Sequence, residues 1–98
     1  MLEKRELLFI VEEVTKQFDH FLPVVTIIQD LPEEVKAVAI WDGEKEQIVF
    51  NQNILNLEVD YIIDIVRHEI LHLVTKLQDE SVIFQELCKK LGIPLTEE

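Results

Sequence analysis

Tyr61-Ile62-Ile63-Asp64-Ile65-Val66-Arg67-His68-Glu69-Ile70-Leu71-His72-Leu73-Val74-Thr75-Lys76-Leu77 is the stretch on which the fold turns. Its apolar positions, from Ile62 and Ile63 through Ile65, Val66, Ile70, Leu71, Leu73 and Val74 to Leu77, recur at helical spacing over a broad face. A central helix is expected, capped at its start by Asn56 or Asp60. Two imidazoles and a carboxylate interrupt this apolar helix, and burying them without partners costs desolvation. His68-Glu69-Ile70-Leu71-His72 is an H-E-x-x-H sequence. On a helix its two histidines stand one turn apart on one face and can share a tetrahedral Zn²⁺. Glu69 is turned about 100° away, placed to reach a water on the metal without ligating it.

Such a site needs a third protein ligand, and no histidine follows His72. The remaining candidates are Asp79, Glu80, Glu86, Glu97 and Glu98. A last helix is expected over residues 80–91, with Asp79 as its N-cap and Gly92 and Pro94 as its stop signals. On it Ile83, Phe84, Leu87 and Leu91 define an apolar arc with Glu80 at the centre. Glu86 lies roughly 240° around from Glu80, yet is nearly level with the histidines if the two helices pack antiparallel. Facing assigns Glu80 as the third ligand and leaves Glu86 as the alternative.

Upstream, residues 3–18 carry Leu7, Leu8, Phe9, Ile10, Val11, Val14 and Phe18 at helical spacing and read as an amphipathic first helix. Val24-Val25-Thr26-Ile27-Ile28 is a β-branched run of strand length. A second strand is expected over residues 36–41, and Asp42-Gly43 signals a hairpin turn into a third over residues 47–50. Asn51-Gln52-Asn53 breaks that strand. The order is helix, three strands, two helices: one small α+β domain over residues 1–98. The strand at 47–50 is expected at the sheet edge, where an extended peptide could pair with it.

Composition narrows the function. With 98 residues, 48% of them hydrophobic, and only two Gly and three Pro, the chain is neither disordered nor built from repeats. Twenty acidic residues against nine basic ones give a net charge of −11, which repels nucleic acid. Cys88 is the single cysteine, excludes an internal disulfide and reads as a small core residue. The opening Met1-Leu2-Glu3-Lys4-Arg5-Glu6 lacks the charge pattern of a signal peptide, and no apolar run approaches the roughly 20 residues that span a bilayer. A cytoplasmic protein without a membrane or nucleic-acid partner is expected.

The motif and its setting resemble the zincin class of zinc metallopeptidases, and within it the gluzincins, whose pattern is H-E-x-x-H followed by a downstream glutamate. The order of backing helix, small sheet, active-site helix and short glutamate helix is similar to the minigluzincins, single-domain proteins of about this length. The likeness covers the whole chain in architecture and His68, Glu69, His72 and Glu80 in motif. Asp79-Glu80-Ser81-Val82-Ile83-Phe84 is also similar to the third-ligand segment of SprT-like domains, with Glu80 standing where their histidine stands. The acidic composition departs from the DNA-directed members of that group. A His-x-x-x-His-Leu segment is shared with YbeY-type ribonucleases, but those use a further histidine and a basic cleft.

The resemblance implies a Zn²⁺ held by His68, His72 and Glu80, with Glu69 as the catalytic proton acceptor and a peptide or unfolded protein as substrate. It also implies latency, with residues 92–98 lying in the cleft as an inhibitory tail. Tyr61, near the azimuth of His68, and Arg67, beside the motif, are candidate oxyanion donors, while His20 reads as a turn or surface residue. The alternative is a catalytically silent zinc-binding regulatory or interaction module on the same scaffold.

Overall fold

A computed structural model describes residues 1–95. The first helix, α1 (Lys4–Gln17), begins in a capping box in which the Glu3 N–H donates to Glu6 Oε1 at 2.8 Å. It buries Leu7, Val11 and Val14 at helical spacing. Strand β1 (Val24–Ile28) follows, then β2 (Ala37–Asp42) and β3 (Lys45–Asn51). A tight turn joins the last two at Gly43, whose φ of 60° is open to glycine without a Cβ clash. Beyond β3 a short 3-10 turn (Gln52–Asn56) leads into α2 (Val59–Thr75), and a break separates α2 from α3 (Val82–Leu91). The described residues thus form an α+β domain of three helices and a three-stranded sheet, with the helix and strand order read from the sequence.

The strand order is β1-β3-β2, with β1 parallel and β2 antiparallel to β3. This corrects the expectation that β3 lies at an edge. Ile48 and Phe50 of β3 are fully buried, whereas the inward residues of β2 include the small Ala37 and Ala39. Placing the bulky strand in the middle puts the largest apolar area over the helices and leaves the edges to β1 and β2. Asn51, at the end of β3, holds the β1–β2 connection by donating from Nδ2 to the carbonyls of Pro32 (3.1 Å) and Val35 (2.8 Å).

One sheet face carries the core, where Leu7, Val11, Ile48, Phe50, Ile54, Ile62, Val66, Ile70 and Leu73 are all buried. Helix α2 packs against β2, α1 and α3. Its N-cap is Glu58 rather than Asn56 or Asp60, and Asp60 instead sits in the first turn, where its charge complements the helix dipole. A smaller cluster of Leu71, Phe84, Cys88 and Ile93 joins α3 to the far end of α2. Cys88 is buried there as the core residue its sequence context suggests. Among the described residues no helix is long and apolar enough to cross a membrane.

Candidate metal centre

The site begins where α2 ends. Lys76 takes a left-handed conformation (φ 59°) as the C-cap, and its N–H bonds the carbonyl of His72 at 2.8 Å. The Thr75 hydroxyl donates to Leu71 O and accepts from the N–H of Leu77, so the chain folds back immediately after the helix. Leu77 O then receives Nδ1 of His72 at 2.7 Å, and two residues later the Asp79 side chain meets both histidines.

His68 Nε2 and His72 Nε2 lie 3.0 and 2.9 Å from Asp79 Oδ1 and 3.1 Å from each other. The other ring nitrogens decide the proton inventory. His68 Nδ1 is 2.9 Å from Pro94 O, and His72 Nδ1 is 2.7 Å from Leu77 O. A carbonyl only accepts, so both Nδ1 atoms carry hydrogen, and in the neutral rings both Nε2 atoms present lone pairs. Three acceptors therefore face one another. A proton can bridge one edge of this triangle but not all three, whereas a small cation satisfies every vertex. Ligands about 2.0–2.1 Å from a tetrahedral Zn²⁺ stand roughly 3.3 Å apart, close to the spacing found. The donor set fits zinc, with both imidazole side chains buried and Asp79 63% exposed.

The structure brings Asp79 to the histidines and leaves Glu80 and Glu86 exposed, away from the group of ligand atoms. The difference traces to one cap. Ser81, not Asp79, is the N-cap of α3, accepting the Phe84 N–H at 3.3 Å, so the helix starts at Val82 and Glu80 lies outside it. Freed from capping, the Asp79 carboxylate turns to the imidazoles. The expected apolar arc shifts as well: Ile83 and Leu91 are exposed, and Phe84 and Cys88 form the buried face.

Glu69 is buried on α2 at 3% exposure. The guanidinium of Arg67 donates to Leu91 O at 2.5 Å. Half-buried Tyr61 lines a groove of about 540 Å³ with Glu33, Glu34, Lys36 and Leu57. In the proposed inhibitory segment, residues 92–95 are described, and Pro94 touches His68 from its Nδ1 side. Residues 96–98, with the tail's acidic side chains Glu97 and Glu98, lie outside the described residues.

Phe84 backs the site. Its ring stacks on His72 at 4.1 Å and 5° and meets His68 edge-on at 5.4 Å. A Phe84→Ala chain is expected to lose about 3–5 kcal/mol of stability in urea denaturation, because the cavity opens beneath both imidazoles. Burial, and then the Asp79 charge, push the thiol of Cys88, which packs with Phe84, up from its ordinary value.

Sequence reasoning missed a second polar group behind the turn. Glu46, on β3, has a nearly buried carboxylate that receives Lys76 Nζ on Oε2 and lies 2.6 Å from His20 Nε2 on Oε1. Lys76 Nζ also donates to Leu73 O. Burial alone would raise the Glu46 carboxyl, but the hydrogen bonds and charges of Lys76 and His20 outweigh it and hold the group below its ordinary value. A lowered carboxylate stabilises the fold above its unfolded pKa and loses that contribution as pH falls through the folded value. Lys76→Met is expected to cost about 2 kcal/mol at pH 7, less than the roughly 3–5 kcal/mol of a fully buried pair, because Lys76 is partly exposed and His20 remains. Urea titrations of parent and variant at pH 7 and pH 3 check this, with the gap between them narrowing at the lower pH.

Comparison of the chain with protein families, curated proteins and solved structures finds no match in any of the three.

Proposed function

We propose that this chain is a zinc metallopeptidase of zincin type acting on peptides or unfolded polypeptides. The observation that carries the reading is the convergence of two imidazole lone pairs and a carboxylate, 2.9–3.1 Å apart, on the helix that bears Glu69. Asp79 takes the place that the gluzincin pattern gives to a glutamate, so the likeness rests on the H-E-x-x-H helix and the α+β architecture. Zn²⁺ bound there would polarise a peptide carbonyl and acidify a water molecule. The chain's own part is to hold the two Nε2 atoms and Asp79 Oδ1 in place and to move a proton. The Glu69 carboxylate accepts it from water and returns it to the leaving amine.

The burial of Glu69 favours a second reading, a scaffold that binds zinc without turnover. One experiment separates them. The zinc-loaded chain is expected to cleave an unstructured polypeptide, to stop on chelation and to resume when zinc is restored. One equivalent of bound zinc with no cleavage would select the binding module, and no bound zinc would remove both readings.

A further inference from the structure

We infer that Gly92-Ile93-Pro94 is a working part of the metal centre, a strap whose seating makes His68 a ligand; this rests on reading His68, His72 and Asp79 as that centre. The two histidines are anchored differently. His72 is fixed by Leu77 O, five residues on, as soon as α2 terminates. His68 is fixed by Pro94 O, 26 residues away, beyond the end of α3. That carbonyl arrives only if the segment after α3 takes one path.

Several contacts define the path. Gly92 takes a left-handed conformation (φ 68°) that ends α3, a geometry glycine adopts without Cβ strain. The Ile93 N–H then donates to Cys88 O at 2.9 Å. The Ile93 side chain is 4% exposed and packs with Leu71, Phe84 and Cys88. Arg67, the residue before His68, ties the end of α3 to α2 through Leu91 O. With Ile93 seated, Pro94 O meets His68 Nδ1, takes its hydrogen and leaves Nε2 as a lone pair.

With Ile93 unseated, nothing keeps the hydrogen on Nδ1. A hydrogen on Nε2 points at Asp79 Oδ1, 3.0 Å away, and replaces a ligand pair with a hydrogen bond. Seating therefore raises metal affinity. By linkage the metal raises the seating of the strap by the same factor.

The test uses the full chain and Zn²⁺ alone. Zinc affinity is measured by chelator competition for the parent, Ile93→Ala and Ile93→Val. Hydrogen exchange at the Ile93 amide and the ¹⁵N signals of the His68 ring are followed in the unaltered chain with and without zinc. The expected result is binding weakened about 10–100-fold in Ile93→Ala, the cost of losing an outer partner of a ligating histidine, and largely restored in Ile93→Val. Zinc is also expected to slow exchange at Ile93, and His68 to carry its hydrogen on Nδ1 before zinc is added. A parent that binds zinc with no change in exchange at Ile93, or with a His68 hydrogen on Nε2, overturns the strap and leaves the metal centre standing. Undiminished affinity in a folded Ile93→Ala chain does the same. A parent that binds no zinc overturns the metal centre itself. Should Ile93→Ala not fold, the two measurements on the unaltered chain decide.

Discussion

An Asp79→Ala chain is expected to bind zinc more than about 100-fold more weakly than the parent, and a Glu80→Ala chain to bind it as the parent does. The first magnitude follows from the difference between a ligand and its support: losing an outer-shell partner costs about 10–100-fold, and losing the only anionic donor in the group among the described residues costs more. Asp79 Oδ1 is within 3.0 Å of both Nε2 atoms. Without it the group among the described residues is reduced to two neutral imidazoles. Glu80 is exposed and outside the group, so its removal alters only the distant field, which solvent screens. Chelator competition on the two variants is the measurement. The reverse order, with Glu80→Ala losing zinc and Asp79→Ala keeping it, would restore the ligand assignment made from helix facing.

Glu69→Gln is expected to reduce peptide hydrolysis by about 10²–10⁴-fold while one zinc stays bound, the usual range for removing a positioned proton acceptor. The amide has nearly the shape of the carboxylate, so the helix and the two histidines are expected to stay in place. What it loses is the ability to take a proton. Parallel measurement of zinc stoichiometry and cleavage separates this loss from damage to the site. A variant that retains cleavage would remove Glu69 from the chemistry.

Much of the fold was legible because its elements carry strong period and punctuation. The unbroken run of β-branched residues in Val24–Ile28, the Asp42-Gly43 turn and the long apolar period of α2 each specify local structure. Strand order was not legible, since pairing of β3 with β1 depends on which inward residues are bulky across the whole sheet. His68 and His72 were legible because helical spacing alone puts them on one face. The carboxylate that lies beside them was not. Asp79 and Ser81 are both good helix caps, and the sequence does not say which one caps; the structure gives the task to Ser81 and frees Asp79. A shift of two residues in a helix start therefore moved the carboxylate at the site from one residue to its neighbour. The Glu46–Lys76–His20 group was hidden for a similar reason, being assembled from three elements far apart in sequence.

Among the described residues His68, His72 and Asp79, which form the candidate group, and both carbonyls that orient its histidines come from the stretch between His68 and Pro94. The chain loop that must close is short, so the entropy of gathering these groups is small even when the sheet is absent. A denatured chain should thus keep a measurable hold on zinc. The ion's stabilisation of the fold is then the ratio of two affinities, and the rise in melting temperature on adding zinc will fall short of that calculated from native-state binding alone.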